Sequence, residues 1–318
     1  MRSGAAAGHS GYFHETAFYG SDEQFLAVIV PFFTDGLAAG EPVISTFAAR
    51  NQELVRRAFG AGSGIEFLDG GEQYARPATA IRHYRKLFGE YTARGVHQIR
   101  VAGDVPHPGT GARWDWWARY EAAINHAYDD FPVWSICPYD TRTAPADVLA
   151  EVRRTHPHVA DAHRHAANPA FVDPVDFLRA RSDTWRDPIE QGPPWLELVD
   201  PTPVRVRAAV TAAAAGSALT RDDLNGLLVA VSEAVANGLL HGKPPVTVRA
   251  WAAPRRVVVT VTDAGEGPRE PYAGLLPADR PAGSGGLGLW ISHQMCGFVG
   301  LHRGPEGFTI RLVAGELD

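Results

Sequence analysis

Residues Thr220–Gly242, TRDDLNGLLVAVSEAVANGLLHG, read as a single helix. Thr220 caps it, with Asp223 in a variant of the capping box, and Asp222 and Asp223 suit the positive end of the helix dipole. Gly242, followed by Pro244 and Pro245, ends it. Leu224, Leu227, Leu228, Val231, Val235 and Leu239 recur at helical spacing and predict the buried face. At about 100° per residue, Glu233 and Asn237 fall roughly opposite that face. They are four residues apart, so they project side by side. Gly226, Ala230 and Ala234 lie near them and are small, which leaves room for a ligand beside a carboxylate and an amide. On this helix alone a solvated polar stripe is the simpler reading.

The segments downstream change the balance. An alternating apolar run leads into Asp263-Ala-Gly-Glu-Gly267, and Gly283-Ser-Gly-Gly-Leu-Gly288 then opens a second helical run, Leu289 to Met295. This order resembles the N, G1 and G2 boxes of the Bergerat-type ATPase family. Within it, Ser-Glu-Ala-Val-Ala-Asn-x-x-x-His-Gly is similar to the anti-sigma factor serine kinase branch. The resemblance covers about residues 196–318. One glycine motif is weak evidence; three in this order carry weight.

The resemblance implies roles. Asp263 would accept a hydrogen bond from the adenine amino group of ATP, and Gly265 and Gly267 would let the backbone pass close to the base. Asn237 would hold Mg2+. Gly286 and Gly288 would set backbone N–H groups against the phosphates. Thr309 would support the adenine pocket, residues 268–285 would form a lid, and Glu233 would be the catalytic carboxylate near the attacking oxygen. His241, at the helix end, suits a capping role. The implied partners are an anti-sigma antagonist protein, which is phosphorylated, and a sigma factor. A binding switch without phosphotransfer and a soluble sensor histidine kinase are the alternatives. The last needs a long dimerising helix pair, which prolines 169, 174, 188, 193 and 194 disfavour.

Strands Val246–Ala252 and Val257–Thr262 around Pro254-Arg-Arg predict one hairpin; Phe298–His302 and Phe308–Val313 predict another. With the helix Val204–Ala214 they predict an α/β sandwich with a mixed sheet, which the resemblance implies is of Bergerat type.

The first half alternates differently. Ser21 and Gln24 begin a helix that Pro31 is expected to kink. Strands follow at Pro42–Ala48, Ile65–Leu68, Gln98–Val101 and Pro132–Cys137, with helices between them and a last helix at Pro145–Arg154. His14–Tyr19 reads as a short strand or an ordered arm, and residues 1–11 as disordered. Alternation of this kind predicts a mostly parallel sheet with helices on both faces. Such sheets bind ligands beyond the carboxyl ends of their strands, so Asp69, Asp104, His107, Cys137 and Asp140 are candidates for an unknown small-molecule ligand. Their spacing matches no zinc pattern, and Cys137 reads more simply as a small buried residue.

His14-Glu-x-x-Phe-Tyr19, Pro31-Phe-x-x-x-Gly-Leu37, Tyr120-Glu121 with Asn125, Cys137-Pro-Tyr-Asp140 and Arg154-Thr-His-Pro157 resemble the MEDS sensory domain over about residues 12–160. Where that family usually shows a glutamate after the central strand, this chain reads Gly103-Asp104. Residues 161–195 read as a linker, and His156, His158, His163 and His165 as surface histidines.

The 318 residues suit two domains. A net charge of -6 gives no electrostatic case for nucleic acid or an anionic membrane. No apolar run reaches the ~20 residues that span a bilayer, and the first residues do not read as a signal peptide. Two cysteines, Cys137 and Cys296, exclude a disulfide framework and fit a cytoplasmic setting. A homodimer is a further expectation.

Overall fold

The computed structural model describes residues 2–277 and 287–316. The chain divides into two compact units, with the boundary between Leu178 and Arg179.

The first unit contains β1 (Phe13–Tyr19), α1 (Asp22–Ala38), β2 (Val43–Thr46), α2 (Ala49–Phe59), β3 (Glu66–Phe67), α3 (Gly70–Gln73), α4 (Pro77–Ala93), β4 (Ile99–Gly103), α5 (Trp114–Ala127), β5 (Val133–Asp140), α6 (Ala146–Thr155), β6 (His158–Ala160), β7 (His165–Ala167) and α7 (Pro174–Ala180), in which the unit boundary falls. Its sheet runs β3-β2-β4-β5-β1-β6-β7. Every pairing is parallel except β6 with β7. The mostly parallel sheet matches the expectation.

β1 is not an arm. It lies between β5 and β6, with Glu15 opposite Ile136 on one side and His158 on the other. Phe13, Ala17 and Tyr19 pack into a core with Phe25, Ile29, Phe32 and Phe33 of α1. His14 faces the other way, where its Nδ1 meets Asn125 of α5. Helices therefore cover both faces. α1 begins where expected, with Gln24 N–H donating to Ser21, and runs through Pro31.

The segment before β1 is ordered, against expectation. Ala6 is fully buried, Arg2 donates to Gln98 and to the Val133 carbonyl, and Ser3 meets Glu41 and the buried Arg100. A composition of small residues did not reveal that two polar ones have buried partners.

The second unit contains β8 (Leu196–Val199), α8 (Pro203–Ala214), α9 (Arg221–His241), β9 (Thr247–Ala253), β10 (Arg256–Asp263), α10 (Gly288–Met295), β11 (Phe298–Gly304) and β12 (Gly307–Gly315). The sheet runs β11-β12-β10-β9-β8. Its pairings are all antiparallel, a narrower arrangement than the mixed sheet expected, because both hairpins turn directly and β8 joins at the edge. Val257, Val259, Val261, Ile310 and Leu312 face α8 and α9, giving the α/β sandwich.

α9 starts as its sequence dictates, with Thr220 accepting from Asp223 N–H at 3.1 Å. Its buried stripe is Leu227, Ala230, Val231, Ala234, Val235 and Gly238, whereas Leu239 is exposed. The stripe shifts toward the small residues because α8 and α10 flank the helix. A Cβ on Gly226 would lie 2.9 Å from the Met295 carbonyl, so that bare surface is filled by α10. By length and composition α9 is long and apolar enough to cross a membrane, but its apolar stripe belongs to this core.

Residues 161–195 are not a free linker. β6 and β7 extend the first sheet. Within the second unit, residues 182–195 cover the outer sheet face. Trp185 packs on Phe298, Asp183 accepts from Leu301 N–H at 2.7 Å, and Glu190 pairs with the buried Arg311. Low apolar periodicity hid this role, since the anchors are single aromatic and charged residues.

Candidate functional site

α9, β10 and α10 build the site of the second unit. Asp263 ends β10 and is 7% exposed. Its Oδ1 accepts two backbone N–H bonds, from Gly265 at 2.7 Å and Lys243 at 3.1 Å. Among the described residues no donor reaches Oδ2. Oδ2 is therefore left free to accept, and an amino group presented edge-on would donate to it. That is the fit for adenine. Gly267 has φ +76, and a Cβ there would meet the Phe308 ring at 2.4 Å, so the turn after Asp263 requires glycine.

Glu233 and Asn237 are half-buried and one turn apart on α9. Neither side chain has a hydrogen bond or ion pair among the described residues. The start of α10 comes against Glu233: a Cβ on Gly288 would lie 2.2 Å from Oε2. The first turn of α10 also leaves backbone N–H groups without partners inside the helix, a setting that suits anionic oxygen. Asn237 offers an amide oxygen of the kind a hard cation takes, so it would be the protein ligand for Mg2+.

One expected residue is not brought there. Thr309 lies opposite Thr262 and bonds its hydroxyl at 2.8 Å. Strand alternation puts that pair on the face away from Asp263, because Asp263 pairs with Phe308 of the core face. Gly286 and lid positions 278–285 lie outside the described residues. His241 is exposed at the end of α9. Lys243, whose N–H helps hold Asp263, escaped the sequence reading because a backbone donor leaves no side-chain signature.

In the first unit, Asp104 and Asp140 stand at the carboxyl ends of β4 and β5. Asp104 accepts from Ala48 N–H and Asn51, and burial pushes its carboxyl up to about 7. Asp140 pairs with Arg142, which holds its carboxyl below the usual range. His107 is buried, and burial pushes its imidazole down while Asp140 opposes that shift. Asp69 caps α3, its Oδ1 accepting from Glu72 N–H. Cys137 Sγ lies 3.6 Å from His14 Nε2. Asp140 thus acts on both Asp104 and His107, and Asp104 acts in turn on the buried Cys137 thiol. His156, expected at the surface, is fully buried, and His165 pairs with the buried Glu15 at 2.9 Å.

A two-layer sandwich with an acceptor at a strand end, an acid–amide pair on the facing helix and a glycine helix start is the architecture of a nucleotide-binding ATPase domain. Residues 199–314 match the family model described as histidine kinase-like ATPase domain. Residues 13–157 match the model for the MEthanogen/methylotroph, DcmR Sensory domain, MEDS. The chain therefore carries a MEDS domain followed by a histidine kinase-like ATPase domain, and the latter implies ATP binding. No curated protein matches the chain. Among solved structures, the RsbU and RsbW domains of Rv1364c from Mycobacterium tuberculosis are similar at 21% identity and a TM-score of 0.28. That match covers 39% of this chain and 32% of the other, a likeness too slight to bear on activity.

Proposed function

We propose that the second unit is an ATP- and Mg2+-dependent protein serine kinase of the anti-sigma type, and that the first unit is its sensory input. The observation that carries this is the placement of Glu233. Its carboxylate is free of protein partners among the described residues, lies against Gly288 at the start of α10, and is one turn from Asn237. Phosphoryl transfer depends on positioning and charge neutralisation, with a carboxylate beside the attacking oxygen. Mg2+ would neutralise phosphate charge. Asn237 would present its amide oxygen toward the metal, Asp263 would fix the base, and Glu233 would orient the incoming hydroxyl and take its proton. In this reading the acceptor is a serine of an anti-sigma antagonist protein, and a sigma factor is the sequestered partner. Two buried cysteines, neither in a disulfide, fit a cytoplasmic setting.

The test incubates the full chain with labelled ATP, Mg2+ and a candidate antagonist. Label on a partner serine is the expected outcome. ATP binding without transfer would replace the kinase by a nucleotide-dependent binding switch. Label on a histidine of this chain would replace it by a histidine kinase.

A further inference from the structure

Four side chains of the first unit converge in a place no role above uses. His14 from β1, Glu121 from α5, Cys137 from β5 and His156 just after α6 each contribute one atom, and these atoms lie within 4.8 Å of one another. Glu121 Oε2 is 3.5 Å from His14 Nε2 and 3.5 Å from His156 Nε2. Cys137 Sγ is 3.6 Å from His14 Nε2. Cys137 is 6% exposed, and the other three are fully buried.

The surrounding hydrogen bonds determine what these atoms present. His156 Nδ1 lies 2.8 Å from the Val152 carbonyl, which only accepts, so Nδ1 carries the proton. His14 Nδ1 lies 3.0 Å from Asn125 Oδ1. The Asn125 amide is oriented by its Nδ2, which donates to the carbonyls of Glu121, Ala122 and Thr155, so its oxygen must face His14. Both neutral imidazoles thus turn an Nε2 lone pair inward. Glu121 Oε1 accepts from Tyr139 at 2.5 Å, and Oε2 turns inward. Two lone pairs, a carboxylate oxygen and a sulfur therefore face one another. Among the described residues, Glu121 Oε2 and His156 Nε2 have no hydrogen-bond partner.

We infer that His14, Glu121, Cys137 and His156 form a closed four-ligand site for a divalent transition metal of the zinc class. Bond lengths of about 2.0–2.1 Å to nitrogen and oxygen and about 2.3 Å to sulfur give tetrahedral edges of about 3.3–3.6 Å, which the three closest separations match. The wider pairs must draw in on binding. Nitrogen and thiolate ligands select zinc-class ions over Mg2+ or Ca2+. Binding displaces the Cys137 proton and any on Glu121, so M2+ with one thiolate and one carboxylate is neutral overall, as a fully buried centre requires. The outer bonds from Nδ1 to Val152 and Asn125 are the orienting contacts that metal-bound imidazoles make. Four protein ligands leave no open position, so the ion clasps β1, α5, β5 and the end of α6 rather than performing chemistry.

The experiment uses the untagged full chain. As purified it should carry about one zinc per chain by elemental analysis. Refolded from denaturant with Co2+ instead, it should show the intense visible bands of tetrahedral Co2+ and a thiolate-to-cobalt charge-transfer band, saturating at one equivalent and displaced by Zn2+. Cys137→Ser should lose the charge-transfer band, while Cys296→Ser keeps it. Removing the metal should lower the melting temperature. A folded wild-type chain with no stoichiometric zinc and no such cobalt spectrum overturns the assignment. So does a charge-transfer band that survives in Cys137→Ser. If Cys137→Ser does not fold, the wild-type cobalt spectrum and the Cys296→Ser control decide alone.

Discussion

Gly288 presses its backbone against the Glu233 carboxylate so closely that a Cβ would sit 2.2 Å from Oε2. Gly288→Ala must therefore displace the carboxylate, although alanine itself suits a helix start. Phosphate transfer should fall about ten-fold or more, with little change in melting temperature. Glu233→Ala should lower transfer by about 10²-fold while ATP affinity holds within a few-fold. Calorimetry beside a labelled-phosphate assay reads both. Equal loss of binding in Glu233→Ala would make the glutamate structural.

Asp263→Asn should behave in the opposite way. The amide brings a donor to a position that must accept both from the backbone and from the base. The loss should be about 1.5–3 kcal/mol, roughly ten- to a hundred-fold in ATP affinity. Asn237→Ala should weaken ATP binding when Mg2+ is present and change it little in EDTA. An Asp263→Asn chain that binds ATP normally would remove the adenine assignment.

Thr309→Val should leave ATP affinity unchanged within about two-fold, since its hydroxyl meets Thr262 on the far face. A large loss in the same calorimetry would place Thr309 back at the pocket.

Glu190→Ala should destabilise the second unit far more than Glu197→Ala. Glu190 is the charge partner of Arg311, whose side chain is 4% exposed, and removing it leaves a buried guanidinium uncompensated. Such losses cost about 3–5 kcal/mol. Glu197 pairs with Arg249 in water, where the cost stays within about 1 kcal/mol. Urea midpoints of the two variants give the comparison. Equal shifts would show that residues 182–195 do not support the sheet.

Asp104 should make the first unit less stable as pH rises. Burial pushes its folded carboxyl up to about 7 from the ordinary value of 3.8. Between those values the folded chain holds a proton that the unfolded chain has released, so stability falls across that window and levels off above it. Asp104→Asn keeps the neutral form and should flatten the trend. Urea midpoints of wild type minus variant, from pH 5 to 8, isolate the effect. A difference that grows with pH in the wild type's favour would reverse the sign.

Sequence and structure divide this protein along a physical line. Thr220, the periodic leucines and Gly242 determined α9, and apolar alternation around Pro254 determined the β9–β10 hairpin. Those signals act between near neighbours, where capping and side-chain period suffice. The acid–amide pair of the ATPase domain was legible for the same reason: Glu233 and Asn237 are four apart on one helix. What spacing could not encode was contact between distant segments. His14, Glu121, Cys137 and His156 stood in separate stretches, and only the parallel insertion of β1 between β5 and β6 brought them together. Trp185 and Glu190 lacked any period, so their burial against Phe298 and Arg311 appeared only once the sheet had an outer face to cover. Register assigned Thr309 to the wrong side for a nucleotide, because one step along a strand reverses the face.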